Sequence, residues 1–596
     1  MKRGNLDRWT NLQNCINLLF FSQLVNELLF DYSIPSNRIS TLNSHYLCED
    51  ALNAIDTIEN NGVPQGTLKP IMEELFSELK KDPAFHEDNH PTNYFVKYQS
   101  EQYVLCKRVS DIGYSDLKNI ALALKQVYFS QNKYFESLKR NIVQIIKDNK
   151  IEEQQKLFRL TKSLLTELMN SGYTIKYIEL VMSELFWNSK QPIDSTNRID
   201  DFFELFDFKT REFDVVFKLR KKNLGREESL ISGFERTDEL PDTIKHKASN
   251  RFRRKKQDET FIAAKYRARD PFDAQRDVVW TFETNVALYR FYNHSYEYKI
   301  QRAECMVFDA ERSYTVKKEI SAVEHTKMPS NKRVSESMKV ISDAMSNIIK
   351  GDNYRDCMAL LGAIRYHSHS LDSISEENQL LDLWSIFEAV LDISNEHTSD
   401  RIQQVCMYLV PLLKQKYIYS LFKQLAEDIR IYNEDLYNNI IGDEKTESEI
   451  VRAVCEFTLL EKNKDLREKV LDSCGDFPLL KERISYYSNE LASPTKVYSF
   501  VEKHAERVRW QIMRIYRNRN LIIHNGSKMS YLSLLIENLH SYVDDFITYI
   551  IHSMSKGKDI NCMCLDLFTR ECKWNSTFLR KKEAIATDEI RYILAI

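Results

Sequence analysis

Three side chains suited to binding a phosphate and moving a proton lie close together in the last fifth of the chain. Segment 519–526 has the sequence RNLIIHNG, which contains Arg519, Asn520 and His524. An arginine is permanently charged and binds phosphate oxygens through parallel N–H donors. A histidine titrates near neutral pH and can take or give a proton. This combination of residues indicates phosphate chemistry.

The segment ends an amphipathic run that begins near residue 508 and is predicted to be one helix. At about 100° per residue, Arg519 falls in the middle of the apolar face formed by Val508, Ile512, Ile515, Ile522 and Ile523. A guanidinium group that faces a core is costly unless it is paired or bound to an anion. The Asn525-Gly526 pair then predicts the end of the helix.

A second predicted helix, 376–393, supplies a candidate partner for this arginine. Its apolar face is formed by Leu380, Leu383, Trp384, Phe387, Val390 and Leu391. Glu388 lies at the edge of that face, and a carboxylate in such a place needs a cation. We therefore predict an ion pair between Glu388 and Arg519. The alternative is that Glu388 is a surface residue at the boundary of the face.

The composition is that of a helix-rich globular protein. The chain has 596 residues, too many for one core, so about two to four domains are expected. It is 43% apolar and 29% charged, and its 13 glycines and 12 prolines predict few turns. The net charge of -3 gives no global attraction to nucleic acid, so such contacts have to come from local patches.

We expect a mainly α-helical chain with a small α/β middle domain. Helical periodicity predicts a helical N-terminal domain at 1–190 and a helical C-terminal domain at 336–560, followed by a tail at 561–596. Within the C-terminal domain, 397–408 and 411–431 are predicted as separate helices. The middle domain, 191–335, has strand candidates at 213–220, 296–300 and 314–316, and the alternation in the first predicts burial on one face.

A basic stretch lies between the first two strand candidates. Two aromatic residues, Phe252 and Tyr266, are interleaved with its lysines and arginines. Such a mixture suits single-stranded RNA, whose phosphates bind cations and whose bases stack on aromatic rings. We therefore predict RNA contacts from Arg251, Arg253, Arg254, Lys255, Lys256, Arg267 and Arg269. The alternative is a solvated loop between strands.

The sequence predicts no metal site and no cofactor. It contains no glycine-rich phosphate loop, no paired carboxylates of a metal-dependent nuclease and no nucleophile elbow. His367 and His369 end a predicted helix, where cationic side chains are explained by the helix dipole without a metal. The odd number of scattered cysteines fits a reducing compartment. No signal peptide or membrane span is predicted, so a cytoplasmic location is expected.

The motif segment resembles the signature of HEPN domains, in particular their Apea-like and abortive-infection branches. Nuclease members of this family carry an arginine, a polar residue, a short spacer and a histidine. Segment 381–388, LDLWSIFE, resembles the family helix whose acidic residue faces the active site. The resemblance implies that Arg519, Asn520, His524 and Glu388 are catalytic. Arg517 also stands at a spacing that the family tolerates, but it points away from the apolar face, so we assign it to RNA binding.

The resemblance implies a metal-independent endoribonuclease that acts as a toxin-like effector of antiphage abortive infection. RNA supplies its 2′-hydroxyl as the nucleophile, and the expected products carry a 2′,3′-cyclic phosphate and a 5′-hydroxyl. His524 would move the proton, and Arg519 would stabilise the charge that builds on the phosphate. The implied partners are RNA, with tRNA as one candidate, and a phage-derived trigger or an antitoxin.

Helix geometry adds an expectation about oligomeric state. On an unbroken helix, Arg519 and His524 point about 140° apart, so they cannot face one phosphate. Either the helix unwinds near Ile523 or a second copy of the chain contributes, and HEPN nucleases typically dimerise. We therefore predict a homodimer through the C-terminal domain. The alternative functions are a HEPN domain that binds nucleotide or RNA as a sensor without cutting, and a helical interaction scaffold.

Overall fold

The computed structural model describes most of the chain. The described residues are 4–30, 42–61, 64–85, 108–130, 132–220, 233–240, 242–257, 259–292, 305–316, 354–373, 375–391, 401–443, 446–525, 531–578 and 584–594, with a few isolated positions between 338 and 346. The strand candidate at 296–300 lies outside them.

The chain forms two compact units. One comprises Met1–Glu167, Gln191–Ile199 and Ser321–Ile596, and the other comprises Leu168–Lys190 and Asp200–Ile320. The predicted mainly helical fold with a small α/β part is confirmed. The boundaries predicted at 190, 335 and 560 stay a prediction, but the helices at the two ends of the chain belong to one unit.

The first unit begins with helices whose apolar residues face a common core. The N-terminal helices are α1 (Ile16–Phe30), α2 (Ser44–Asn61), α3 (Leu68–Leu79), α4 (Tyr114–Val127), α5 (Lys133–Asp148) and α6 (Gln154–Asn170). In α5 the buried residues recur every three or four positions, which is the pattern of a helix with one apolar face. Asn149 ends this helix in the left-handed region, which asparagine tolerates better than most residues.

The second unit contains a five-stranded antiparallel sheet. Its helices are α7 (Ile175–Met182), α8 (Arg198–Glu204), α9 (Asp242–Lys245), α10 (Asn250–Arg253) and α11 (Pro271–Tyr292). Its strands are β1 (Arg211–Arg220), β2 (Glu235–Thr237), β3 (Glu259–Ala268), β4 (Cys305–Phe308) and β5 (Ser313–Val316), in the order β2-β3-β1-β4-β5. Two of the predicted strands are therefore confirmed, as β1 and β5.

Strand β1 confirms the predicted alternation, because one face is fully buried, whereas on the other face Val216 is buried and Asp214 and Lys218 stay partly exposed. One face carries Phe213, Val215, Phe217 and Leu219, which pack against α11. On the other face, Val216 packs with Phe252 and with residues around the short helices α9 and α10. The short helices α9 and α10 form within the stretch that the sequence analysis treats as a loop. They cover the second face of the sheet.

The C-terminal helices complete the first unit. They are α12 (Tyr354–Asp372), α13 (Glu376–Val390), α14 (Arg401–Tyr432), α15 (Glu434–Ile441), α16 (Glu447–Leu459), α17 (Lys464–Ser473), α18 (Pro478–Glu490), α19 (Pro494–Asn525), α20 (Leu532–Ser555), α21 (Ile560–Phe578) and α22 (Ile590–Ile593). None of the described helices is long and apolar enough to cross a membrane.

The prediction of two helices separated before Pro411 was wrong, because α14 runs through this proline. An interior proline removes a backbone hydrogen bond and costs about 3 kcal/mol. Buried apolar residues continue on both sides of it, including Leu409, Val410, Leu412 and Leu413. Burial of this continuous face offsets the local cost.

His504 provides a test of the core between α14 and α19. Its ring stacks on Tyr417 with the ring centroids 3.6 Å apart, and only 6% of the residue is exposed. Burial, assisted by the charge of Arg507, lowers the pKa of His504 from an ordinary 6.5 to about 3. The unfolded chain therefore binds a proton before the folded chain does as the pH falls.

We expect the free energy of unfolding to fall below pH 6.5, with His504 contributing a slope of about 1.4 kcal/mol per pH unit. Replacement by phenylalanine keeps the stacking but removes the titration. The free energy of unfolding, measured with urea at several pH values between 7.5 and 5, should therefore fall more steeply with decreasing pH in the wild type than in His504→Phe. Equal slopes in the two proteins would contradict a buried neutral His504.

Candidate active site

Arg519 lies near the C-terminal end of α19, opposite Glu388 on α13. Its Nη2 donates to both carboxylate oxygens of Glu388, at 3.3 and 3.4 Å. The side chains of Arg519 and Glu388 are 23% and 26% exposed. The predicted ion pair is therefore confirmed, at the edge of the core rather than inside it. Their catalytic roles stay a prediction.

Glu388 is held in place by a neighbour on its own helix. The indole Nε1 of Trp384 donates to Glu388 Oε1 at 3.1 Å. These residues are four positions apart, so they lie on the same side of α13. The Trp384 ring is buried and packs against Tyr516 of α19, with the centroids 5.4 Å apart. The same tryptophan therefore positions the carboxylate and joins the two helices.

Asn520 completes the contacts of the arginine. Its Oδ1 accepts a hydrogen bond from Arg519 Nη1 at 3.1 Å. A guanidinium has five N–H donors, so these contacts leave donors that the described residues do not occupy. Because about a quarter of the side chain is exposed, an anion from solvent can reach them. The site can thus hold a phosphate while Glu388 fixes the orientation of the guanidinium.

The backbone of His524 is helical, and α19 continues without a break to Asn525. The described part of α19 ends at Asn525, so the helix end predicted from the Asn525-Gly526 pair stays a prediction. The His524 side chain lies outside the described residues. Of the two ways to bring Arg519 and His524 to one phosphate, unwinding near Ile523 is not used in this conformation. Ile523 is 47% exposed, so its predicted place on the buried face was wrong.

The arginine that is fully buried on α19 is Arg514, which sequence reasoning missed. Its guanidinium is 1% exposed and bonds to Glu74 of α3, with Asp50 of α2 at 3.5 Å. Tyr531 donates to the second oxygen of Asp50 at 3.3 Å. Burial raises the pKa of the Glu74 carboxyl to about 7, against the lowering effect of Arg514.

Helix α19 has two buried sides, which explains why this residue was missed. Ile512 and Ile515 face one core, whereas Trp510, Arg514 and Asn518 are buried on the other side of the helix. The N-terminal helices α2 and α3 cover that second side. A helical wheel with one apolar face places Arg514 in solvent. The sequence of α19 alone does not show that helices from residues 44–79 cover its second side.

Arg517, assigned to RNA binding from the sequence, donates to Asp50 Oδ2 at 2.7 Å. Its side chain is 21% exposed. Asp50 therefore joins Arg514 and Arg517 in one cluster with Glu74. The structure brings Arg519, Asn520 and Glu388 together and places Arg517 in this separate cluster.

The basic stretch of the second unit does not present its aromatic residues. Phe252 is 1% exposed and belongs to the core on one face of the sheet. Tyr266 packs against the core on the other face, and its hydroxyl donates to Asp277 at 3.2 Å. Phe252 therefore cannot stack on bases, which corrects the prediction for that ring, whereas Tyr266 is only partly buried and its predicted base contact stays a prediction.

Several cations of this stretch bond to neighbouring groups of the same unit. Arg253 donates to the carbonyl oxygens of Ala248 and His246, at 2.9 and 3.1 Å. Lys255 pairs with Asp238 at 2.8 Å, and Arg269 lies over the Phe208 ring. The Arg251 side chain lies outside the described residues. Of the predicted RNA-binding residues in this stretch whose side chains the structure describes, Arg253, Arg254, Lys256 and Arg267 are exposed.

Comparisons with known proteins add no relative to this picture. No protein-family model, no curated protein and no solved structure matches the chain. The resemblance to HEPN domains therefore stays a prediction, which rests on the motif residues and their geometry.

The buried cluster predicts a large effect of Arg514 on stability. Arg514→Leu leaves the Glu74 and Asp50 carboxylates without their shared cation, and breaking a buried pair in this way costs about 3–5 kcal/mol. Arg509→Leu, at an exposed position of the same helix, should change the stability by less than about 0.5 kcal/mol. Urea unfolding followed by tryptophan fluorescence compares them. A similar small effect of both changes would refute the structural role of Arg514.

Proposed function

We propose that the protein is a metal-independent endoribonuclease of the HEPN type. The observation that carries the proposal is the Arg519 guanidinium, which Glu388 orients and which keeps donors open to an anion. It lies on the helix that also carries His524, the only histidine of the motif. A purely structural ion pair has no need of an adjacent asparagine contact and a histidine five positions further along.

The reaction is a transfer within the RNA. The 2′-oxygen attacks the adjacent phosphorus, a P–O2′ bond forms, and the P–O5′ bond breaks. One proton leaves the 2′-hydroxyl and one is delivered to the 5′-oxygen, and His524 performs one of these transfers. Arg519 stabilises the charge on the non-bridging oxygens. The products carry a 2′,3′-cyclic phosphate and a 5′-hydroxyl, and DNA is not a substrate because it lacks the 2′-hydroxyl.

A second copy of the chain supplies the missing geometry. On the continuous helix α19, positions 519 and 524 are about 140° apart. In a homodimer through the C-terminal helices, Arg519 of one copy and His524 of the other face the same phosphate. Two such sites form around the twofold axis, because a symmetric interface repeats every contact.

The N-terminal helices are in a position to affect the motif helix. Glu74 and Asp50 bond to Arg514, which is five residues before Arg519 on α19. A trigger that displaces α2 or α3 would therefore act directly on the helix that carries the site. This link supports the toxin-like role in antiphage defence, in which cleavage begins after the N-terminal region responds to a phage-derived trigger or the loss of an antitoxin.

The first test is cleavage of bulk cellular RNA by the purified full-length chain in excess EDTA. We expect new ends with 2′,3′-cyclic phosphates from the wild type and none from His524→Ala. Arg519→Lys keeps the charge but loses the parallel donors, so its rate should fall by a factor of roughly 100 or more. The exposed His552 and Arg509 give the matched controls His552→Ala and Arg509→Lys, which should cleave normally.

Melting curves separate catalysis from folding. A catalytic His524 predicts lost cleavage with an unchanged melting temperature. If His524→Ala cleaves RNA as fast as the wild type, the proposal is wrong. Arg514→Leu breaks the contact between the N-terminal helices and α19. If neither this variant nor the wild type cleaves RNA, although both bind it, a sensor that does not cut becomes the better explanation.

If each site combines Arg519 of one copy with His524 of the other, a shared cleft, two inactive variants should complement each other. Arg519→Ala and His524→Ala should each be inactive alone. Mixed after brief unfolding and refolding, half of the dimers are mixed, and each contains one intact site. About a quarter of the wild-type rate should therefore return. A site built within one chain gives no recovery, and a monomer in sedimentation runs of active enzyme would also exclude the shared cleft.

A further inference from the structure

Three metal-binding side chains meet between α12 and α20, away from the motif residues in the sequence. They are His367 of α12 and His540 and Asp544 of α20. His367 Nε2 lies 3.1 Å from His540 Nε2 and 3.1 Å from Asp544 Oδ1, and His540 Nε2 lies 3.7 Å from the same oxygen. The ring centroids are 5.1 Å apart, so the two imidazoles turn their Nε2 edges toward each other.

Hydrogen bonds alone cannot satisfy all three polar atoms of this cluster. A neutral imidazole carries one hydrogen, so His367 Nε2 can offer a single N–H to two acceptors, the second imidazole and the carboxylate. The contact from His540 to Asp544 is too long for a good hydrogen bond.

A bound Zn²⁺ satisfies all three atoms at once. Ligand atoms that bind tetrahedral zinc at about 2.0–2.1 Å are separated from each other by roughly 3.3 Å. The three distances in the cluster, 3.1, 3.1 and 3.7 Å, lie around that value. Imidazole nitrogens with a carboxylate oxygen are also a ligand set that zinc prefers.

The helices build the site without distortion. His540 and Asp544 are four residues apart on α20, so they project from the same side of the helix. His367 reaches them from the C-terminal part of α12. From the sequence alone, the helix dipole explains His367 and His369. His369 bonds to Asp382 at 2.8 Å and takes no part in the cluster.

We propose that His367, His540 and Asp544 form a zinc site that links α12 to α20. The side chains of His367 and Asp544 are 24% and 40% exposed, whereas that of His540 is 6% exposed. The metal is therefore held against the core by His540 and keeps its fourth position toward solvent, for water or a ligand. The site shares no residue with the motif of the proposed ribonuclease.

The test is zinc binding by the full-length chain after treatment with a chelator and removal of that chelator. Competition against a chromophoric zinc indicator should show one tight site per chain. Asp544→Asn and His540→Gln should each weaken that site by roughly 100-fold or more, since even changes outside the ligand shell weaken metal binding 10–100-fold. The exposed His552 of the same helix supplies the matched control His552→Gln, which should bind zinc as the wild type does.

Two further measurements make the result decisive. Co²⁺ in place of Zn²⁺ should give visible absorption bands in the wild type that are lost in Asp544→Asn. Zinc should raise the melting temperature of the wild type, because it binds only the folded arrangement of α12 and α20, and should have no such effect on Asp544→Asn. Asp544 is partly exposed, so this variant is expected to fold. Equal zinc affinity in Asp544→Asn and the wild type, or no tight site in the wild type, would overturn the proposal.

Discussion

The buried contact between Arg514 and the carboxylates of Glu74 and Asp50 is the constraint on which the candidate site depends. A charge that is 1% exposed is tolerated only when it is paired, and both partners come from the N-terminal helices. These contacts fix the rotation of α19 about its own axis and its distance from α2 and α3. Arg519, five residues further along the same helix, then reaches the edge of the core beside Glu388.

The two arginines show how one helix separates stability from chemistry. The Arg514 guanidinium is enclosed by acidic groups and has no room for a substrate. Arg519 meets a single carboxylate at the surface and retains donors for an anion. Trp384 makes this second pair rigid, because it is buried and still donates to Glu388. A site that is both oriented and accessible is what phosphate binding requires.

Helix α13 lies in the centre of this arrangement. It packs against α12, α19 and α20, so the helix that supplies Glu388 also contacts both helices of the proposed zinc site. A metal that ties α12 to α20 would restrict the neighbours of α13. The ion pair, the indole contact and the metal site would then limit the movements of α12, α13, α19 and α20. A displacement of the N-terminal helices would move these four helices together.

The sequence by itself determined the features that depend on local periodicity. It predicts a helix-rich chain, the strands β1 and β5, and the pairing of Arg519 with Glu388. Each of these follows from spacing within one element or from the cost of an unpaired charge at an apolar face. It also predicts the types of residue that can bind phosphate and move a proton.

Only the tertiary structure decided what covers each face. Arg514 is buried because α2 and α3, more than 400 positions earlier, close the second side of α19. Phe252 enters the core because the short helices fold back on the sheet, and α14 tolerates Pro411 because both its halves face one core. His367 meets His540 and Asp544 across 173 and 177 positions. Such contacts join residues that share no local pattern, so spacing along the chain cannot predict them.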